Sequence, residues 1–284
     1  MQQRKNIQGF TLIELSIVLV IIGLIIGGIL AGRDLIGAAE ARAQISQMEK
    51  YNTAVYTFRA KYGGLPGDLQ LNLANQFGLW TAACDGSYGN RDGNGLVDGY
   101  YPTSYVLQYT ETSLFWADLS QAGLIDGSFP GSGGAYAGSW CGGYNADLTL
   151  AQGSSYIGNY FPAAKIGSGN FIYVYNGQLP ADSCCGGNNW YGLSAVTTVY
   201  TTGGTASNTT LSVAQAYNID KKMDDGVPDA GSVQANYLTG WYVYQTNMQA
   251  SDSATSCFNS TNHTYSMRIN GGNGRNCALS FKFR

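Results

Sequence analysis

The chain has few charged side chains and no dense cluster of basic ones. Only 12% of its 284 residues are charged, and the formal net charge is −3. Beyond the first five residues and a sparse scatter near the C-terminus, the sequence has no segment dense in Lys and Arg. Proteins that bind nucleic acids concentrate positive charge on one surface or segment. The sequence therefore predicts no nucleic-acid partner.

Residue types that commonly carry catalysis are also scarce. The single histidine, His263, lies in a stretch rich in Asn, Ser and Thr, and we interpret it as a solvated loop residue rather than a general base. The sequence contains no Gly-x-Ser-x-Gly, no P-loop Gly-Lys and no His-Glu-x-x-His motif. We therefore predict that the protein is not an enzyme.

The six cysteines lack the paired Cys-x-x-Cys spacing of zinc sites. An even number of cysteines without that spacing favours disulfides in an oxidising compartment. Six cysteines allow 15 pairings, and among these we predict a bridge between Cys257 and Cys277 that closes the C-terminal segment. The four cysteines whose pairing stays open are Cys84, Cys141, Cys184 and Cys185.

One long apolar run stands out against this background. Between Glu14 and Arg33 there are 18 residues without a charge, which is the length expected of a membrane-spanning helix. A cleaved secretory signal has a shorter apolar core of ~7–15 residues, followed by a small-x-small cleavage site. Glu14 is unexpected in such a segment, because a charge at the centre of a spanning helix costs roughly 2.5–3.5 kcal/mol on insertion scales.

The apolar run continues into an amphipathic pattern. Apolar residues recur every three or four positions from Ala38 to Tyr62, and Gly63-Gly64 followed by Pro66 is a helix stop signal. We predict one helix over residues 10–62, apolar all round at 10–32 and amphipathic at 33–62. Arg4 and Lys5 favour a cytoplasmic N-terminus, so that the remainder of the chain lies outside.

After Pro66 the sequence alternates short aromatic or β-branched runs with clusters of Gly, Asn, Asp and Ser. This texture is typical of strands and long loops. The predicted strands are 170–176, 190–200, 237–245, 264–269 and 277–283. The predicted helices are Thr112–Ala122 and Leu211–Asp224, and the predicted loops include 130–138 and 201–210.

Residues 9–26, GFTLIELSIVLVIIGLII, resemble the N-terminal signature of type IV pilins and of the pseudopilins of type II secretion. The resemblance implies that a prepilin peptidase removes residues 1–9 by cutting after Gly9, and that the new amino terminus at Phe10 is methylated. It also implies an α+β, type IV pilin-like fold, in which a long N-terminal helix packs as a spine on an antiparallel β-sheet domain with long loops. That exported domain would comprise residues 63–284.

In this family the N-terminal helices bundle into the core of a homo-oligomeric helical filament. The resemblance implies that Glu14 neutralises the amino terminus of Phe10 in a neighbouring subunit. The alternative is that Glu14 only reaches the lipid headgroups. The expected partners are the inner membrane before assembly, the prepilin peptidase and the pilus assembly machinery. The expected destination is an extracellular or periplasm-spanning filament of a Gram-negative bacterium.

Four further stretches are similar to a subgroup of larger proteobacterial pilin-like proteins: KYGGLPGDL, DGNG, WADLSQAGLIDG and DKKMDDGVPDAG. That subgroup often has a histidine where this chain has Asp118. We predict a major or minor pilin, with a type II secretion pseudopilin as the alternative within the class. Rivals from other classes are a membrane-anchored surface-binding protein and an anchored hydrolase. The sequence leaves open whether the role is adhesion, motility, DNA uptake or secretion.

The stretch NRDGNGLVD, residues 90–98, has the spacing of the start of a calcium loop. Its twelfth position is Tyr101 instead of the usual Glu, and Glu111 is a candidate replacement. The predicted calcium ligands are Asn90, Asp92, Asn94, Leu96, Asp98 and Glu111. Asp, Asn and Gly also form plain turns without a metal, and this second interpretation stays open. The stretch 224–231 is a weaker metal candidate because its spacing breaks the loop pattern.

Overall fold

The computed structural model describes residues 11–79, 91–98, 111–129, 148–149, 157–176, 187–199, 205–239 and 242–283. The four cysteines with open pairing and the predicted loop 130–138 lie outside the described residues. Contacts divide the chain into two compact units, Met1–Glu40 and Ala41–Arg284.

Helix α1 runs from Leu12 to Tyr62, in agreement with the helix predicted over residues 10–62. In the first unit, the large apolar side chains of Leu12–Ile29 that the structure describes are between 46% and 88% exposed. This segment of 18 residues is long and apolar enough to cross a membrane, by length and composition alone. A soluble chain would be expected to cover such a surface.

In the second unit, α1 buries one face in the core. Ala41, Met48, Val55 and Phe58 on this face are at most 1% exposed, as the predicted apolar stripe requires. The same face holds two buried glutamines, a feature that the pattern of apolar residues did not predict.

These two glutamines bind main-chain groups of a neighbouring segment. The Nε2 atom of Gln47 donates to the carbonyl of Ala163 at 2.9 Å, and its Oε1 atom accepts the N–H of Lys165 at 2.9 Å. Gln44 Oε1 accepts the N–H of Ile166 at 3.2 Å. The helix is therefore joined to residues 163–166 by hydrogen bonds as well as by apolar packing.

The main sheet is antiparallel and centres on one long strand, β3. Strand β3 pairs with β2 and β11 along its first half, and with β4 and β1 along its second half, while β11 also pairs with β5. The strands of this sheet are β1 (Leu148–Thr149), β2 (Phe171–Asn176), β3 (Asn189–Val199), β4 (Thr205–Asn208), β5 (Val233–Gln234) and β11 (Leu279–Phe283).

Two smaller sheets complete the described strands. One is a hairpin of β6 (Asn236–Thr239) and β7 (Tyr242–Gln245). The other has three short strands, β8 (Met248–Gln249), β9 (Phe258–Asn259) and β10 (Thr264–Tyr265). Among the described residues, further helices are α2 (Leu71–Gln76), α3 (Glu111–Gln121), α4 (Val213–Met223) and a 3-10 turn at Asn270–Gly272. Together these elements confirm the predicted α+β, pilin-like fold with its antiparallel sheet.

The tyrosine-rich strands fill the core. Tyr173 and Tyr191 are fully buried, and the ring of Tyr191 stacks on that of Phe283 with centroids 4.2 Å apart. Trp116 of α3 packs edge-on against Tyr51 of α1 at 4.8 Å. Helix α3 is thus fixed between the long helix and the sheet.

Local hydrogen bonds and the disulfide fix the C-terminal part of the domain. Ser212 and Gln215 form a capping box at the start of α4, which lies within the predicted helix Leu211–Asp224. Cys257 and Cys277 form the predicted disulfide, with their Cα atoms 5.1 Å apart. This bridge joins the segment before β9 to the segment before β11.

Several predicted elements were wrong in type or extent. The strand predicted at 237–245 is two strands, Asn236–Thr239 and Tyr242–Gln245, that pair with each other. The predicted loop 201–210 contains β4, because the second half of β3 needs a partner for its backbone groups. The strand predicted at 264–269 ends at Tyr265, since the chain turns at Met267. Helix α2 was not predicted.

Candidate functional site

The N-terminal signature begins the long helix with a capping box. Thr11 precedes the first helical residue, and its N–H and hydroxyl donate to Glu14 Oε2 at 2.9 and 2.8 Å. The N–H of Glu14 donates in return to the Thr11 hydroxyl oxygen at 3.3 Å. This reciprocal pair satisfies main-chain donors that a helix start leaves unpaired. Glu14 therefore has a partner within its own chain, which the sequence analysis had missed although Thr-x-x-Glu is a capping signal.

The processing residues Gly9 and Phe10 lie outside the described residues. Between Glu14 and Ile29 the described surface is apolar apart from Ser16. The only side-chain hydrogen bond of Ser16 recorded there is a local one to the carbonyl of Ile13 at 2.9 Å. Glu14 is consequently the one ionisable side chain within the apolar segment Leu12–Ile29.

A second candidate site lies in the globular unit, around the loop 91–98. Within this loop, Asp92 Oδ1 accepts the N–H of Asn94 at 2.9 Å, and Asn94 Oδ1 accepts the N–H of Leu96 at 2.7 Å. Such bonds from a side chain to the main chain two residues on are Asx turns. The Asp and Asn residues therefore shape the loop itself, as the turn interpretation of this sequence expected.

The predicted ligand Glu111 does reach the loop. It is the first residue of α3, and its Oε1 and Oε2 atoms accept the N–H groups of Asp92 at 3.1 Å and Asp98 at 2.7 Å. One carboxylate thus holds both ends of the loop. The side chain of Asp98 is engaged by amides, because its oxygens accept from Asn94 and from Asn176 at the end of β2. Asn90 lies outside the described residues.

The structure adds one carboxylate that the sequence analysis missed. Asp68 follows the Pro66-Gly67 turn, and its Oδ2 atom accepts the N–H of Gly95 at 2.9 Å. One oxygen each of Asp68, Asp92 and Glu111 lies within 4.8 Å of the other two. No spacing rule could identify Asp68, since it is 24 residues before Asp92 in the chain. We call these three residues the acidic triad.

Burial and mutual repulsion make the acidic triad electrostatically unfavourable as three anions. Burial raises the pKa of Asp68 to about 7, with the Gly95 N–H lowering it and the nearby charge of Asp92 raising it. Burial raises the pKa of Glu111 to about 9, and the carboxylates of Asp68 and Asp98 contribute in the same direction. Two like charges at most ~4.8 Å apart repel by at least about 3.5 kcal/mol at an effective dielectric near 20. The triad therefore favours either bound protons or a bound cation.

The scaffold around the loop is held by buried polar contacts. Asn189, at the start of β3, accepts the N–H of Val97 at 2.8 Å and donates to the carbonyl of Gly95 at 3.0 Å. Arg91 forms a buried ion pair with Asp118 of α3. The loop is thereby attached to both the sheet and the helix, so its geometry does not depend on the turn residues alone.

A second group of carboxylates, Asp220, Asp224 and Asp225, lies at the end of α4. These side chains are used to close the following loop. Asp220 accepts from Gly226 N–H at 3.1 Å and from the Tyr265 hydroxyl at 2.8 Å. Asp224 accepts the N–H groups of Ser232 and Val233, and Asp225 accepts that of Val227.

His263 lies in a turn, as the sequence suggested, but it is not isolated. Its Nδ1 atom is 2.7 Å from Asp229 Oδ2, and 63% of its side chain is exposed. Among the described residues, Asp229 is the one ionisable side chain recorded in contact with His263.

The sequence of the N-terminal segment matches a known family motif. Residues 4–30 match the model of the prokaryotic N-terminal methylation motif. The chain carries the type IV prepilin signature. The signature is shared by pilins and pseudopilins, which are structural subunits, and it implies processing by a prepilin peptidase and contact with pilus assembly machinery. No curated protein and no solved structure matches the chain significantly.

The signature and the apolar helix together fit a membrane-anchored precursor. The match covers the capping box and the apolar segment, and ends before the second unit begins. The acidic triad therefore belongs to a part of the chain for which the signature implies nothing.

Proposed function

We propose that the protein is a subunit of a type IV pilus-like extracellular filament, assembled through its N-terminal helix. In this proposal the prepilin peptidase cuts between Gly9 and Phe10, and the methylated Phe10 becomes the first residue of the mature chain. The membrane holds the precursor until it joins the filament. The host is a Gram-negative bacterium, in which the filament starts at the inner membrane.

One observation carries the proposal: the apolar segment Leu12–Ile29 is exposed throughout and contains a single carboxylate near its start. A plain membrane anchor gains nothing from Glu14, because a carboxylate opposes insertion. A segment that must also enter a bundle of identical helices can use such a group to fix the relative position of neighbouring subunits. Buried polar groups are known to specify register in helix assemblies.

In this proposal Glu14 has one partner before assembly and a second one in the filament. Before assembly, its Oε2 atom accepts from Thr11 of the same chain. A carboxylate has acceptor sites on both oxygens, so a second donor can be accommodated. In the filament we assign this donor to the amino terminus of Phe10 in a neighbouring subunit. An oppositely charged pair at ~4 Å gains about 4 kcal/mol at an effective dielectric near 20, against about 1 kcal/mol in water.

The alternative within the same class is a pseudopilin of type II secretion, which shares the same signature. The two roles differ in whether the protein forms a long surface filament or a short periplasmic one. A membrane-anchored surface-binding protein would use the helix as an anchor alone, and Glu14 would then have no role in assembly.

The test is to replace Glu14 with Ala and to compare sheared surface fractions and membrane fractions. We expect filaments to disappear from the sheared fraction while the protein stays in the membrane. The control is Glu49→Ala, which removes an exposed carboxylate from the same helix outside the apolar segment and should leave filaments intact. Normal filaments from the Glu14→Ala variant would exclude the ion pair. The pseudopilin would be favoured if the unaltered chain forms no surface filaments and deletion of the protein impairs secretion.

A further inference from the structure

We propose that the acidic triad, Asp68, Asp92 and Glu111, binds a calcium ion between the loop 91–98 and the first turn of α3. All three side chains offer carboxylate oxygens, which are the ligands that calcium prefers. The site is in the globular unit and does not depend on filament assembly. It differs from the ligand set predicted from the loop sequence in that it includes Asp68 and keeps only Asp92 and Glu111 of that set.

The distances within the triad suit calcium. Calcium–oxygen bonds are about 2.3–2.6 Å long, so two ligands on opposite sides of one ion are at most about 5 Å apart. The three oxygens here are all within 4.8 Å of one another. Magnesium usually keeps several waters and is rarely bound by protein carboxylates alone. A site made of three carboxylates therefore favours calcium.

A second observation points to a ligand independently of the clustering. The Oδ1 atom of Asp68 is buried and has no hydrogen-bond partner, and the whole residue is only 2% exposed. Its Oδ2 atom already accepts the N–H of Gly95. Buried carboxylate oxygens are normally paired, because an unpaired one loses its hydration without compensation. A cation bound between the three carboxylates would supply the missing partner.

The charge balance supports the same conclusion. Asp68 is 2% exposed and Glu111 is 0% exposed, so burial removes the hydration of two of the three carboxylates. A bound divalent ion would supply the compensating charge, since it is the largest local charge in its site. Glu111 can contribute to the ion while it holds the loop, because each of its oxygens has two acceptor sites.

The ion also has a path to the site. A cleft of 460 Å³ is lined in part by Asp68, Gly93 and Gly95. Asp92 lies on the exposed side of the triad. An ion can therefore enter from solvent without unfolding the loop.

The other acidic group of the described residues provides a contrast. Asp220, Asp224 and Asp225 also have oxygens within 4.8 Å of one another. Their oxygens accept hydrogen bonds from loop N–H groups and from Tyr265, and none of them has a buried oxygen without a partner. The hydrogen bonds of this group close the loop that follows α4, and we propose no metal there.

The experiment uses the full chain, solubilised in detergent and freed of metal with a chelator. Calcium chloride is titrated in by calorimetry, and the melting temperature is followed with and without calcium. We expect one calcium ion per chain and a higher melting temperature when it is bound, because a ligand of the folded state stabilises it. Magnesium chloride should bind more weakly.

Two variants and one control identify the site. Asp92→Asn removes an exposed ligand without disturbing the core, and Glu111→Gln removes a buried one while keeping its size. Each should weaken calcium binding by about tenfold or more, since affinity depends on the number of charged ligands. Asp225→Asn makes the same charge change in the other acidic group and should leave the affinity unchanged.

Three results would overturn the proposal. The first is the absence of calcium-dependent heat and of any shift in melting temperature in the unaltered chain. The second is calcium binding to Asp92→Asn as tight as to the unaltered chain; this variant decides the matter if Glu111→Gln does not fold. The third is magnesium binding as tight as calcium binding, which would exclude the assignment to calcium.

Discussion

Arg91 and Asp118 form a buried, bidentate ion pair that joins the loop 91–98 to α3. The Nη2–Oδ1 and Nη1–Oδ2 distances are 2.6 and 2.9 Å, and the N–H of Gly67 donates to the same Oδ2 atom at 2.8 Å. Asp118 is 0% exposed and Arg91 is 3% exposed. The pair therefore connects the three segments that carry Asp68, Asp92 and Glu111. These contacts help to fix the geometry of the acidic triad.

Breaking this pair should strongly destabilise the fold. Asp118→Asn leaves the guanidinium of Arg91 buried without its counter-charge, which typically costs about 3–5 kcal/mol of the free energy of unfolding. Urea unfolding of the detergent-solubilised chain measures the change. The control Asp229→Asn breaks the exposed contact with His263 and should change the free energy of unfolding by less than about 1 kcal/mol. Equal losses in the two variants would contradict the structural role of the buried pair.

Asp220 should make the stability of the domain depend on pH. Burial raises the pKa of Asp220 from 3.8 to about 7, opposed by hydrogen bonds from Tyr265 and Gly226 and assisted by the charges of Asp225 and Asp224. Between about pH 4 and pH 7 the folded chain keeps a proton that the unfolded chain releases. The contribution of Asp220 to stability therefore decreases as pH rises through this window and is constant above it.

The variant Asp220→Asn tests this pH dependence. The amide stays neutral at every pH, so the free energy of unfolding should fall less steeply between pH 4 and pH 7 than it does in the unaltered chain. Glu49→Ala, which removes an exposed carboxylate of helix α1 that does not contribute to the Asp220 shift, should keep the original slope. A slope that is the same in all three proteins would show that Asp220 titrates at its ordinary pKa.

Loss of the Cys257–Cys277 disulfide should lower stability by a predictable amount. The bridge spans a sequence separation of 20 residues. Closing a loop of this size reduces the entropy of the unfolded chain enough to stabilise the fold by about 3 kcal/mol in the chain-entropy model. The double variant Cys257→Ser, Cys277→Ser should show this loss in urea unfolding. As a control, reducing agent should not destabilise the double variant further. A further loss of stability on reduction would come from another disulfide.

Processing of the N-terminus gives a prediction in mass. Intact mass spectrometry of the protein from its native host should show a chain that begins at Phe10 and carries one added methyl group, because the signature directs both reactions. Gly9→Val should block the cut by placing a branched side chain at the cleavage position, and the nine leader residues should remain. A mature chain that begins at any other residue would contradict the assignment.

The two candidate sites differ in how far the sequence could predict them. The N-terminal signature is continuous in the chain, so residues 4–30 were sufficient to recognise it. The capping function of Glu14 was also readable in Thr-x-x-Glu, because both partners are within one helical turn. The acidic triad could be predicted only in part. Asp92 and Glu111 were expected to meet, but Asp68 joins them through the Pro66-Gly67 turn and the Arg91–Asp118 pair.

Local periodicity was sufficient to predict the long helix, its apolar and amphipathic halves, helix α4 and the strands β2, β3 and β11. The features that depend on pairing between distant segments could not be predicted from it. Strand β4 formed because β3 offered unpaired backbone groups, and Gln44 and Gln47 were buried because residues 163–166 offered them hydrogen bonds. Local sequence encodes which conformation a segment prefers, whereas burial and partners are supplied by the rest of the chain.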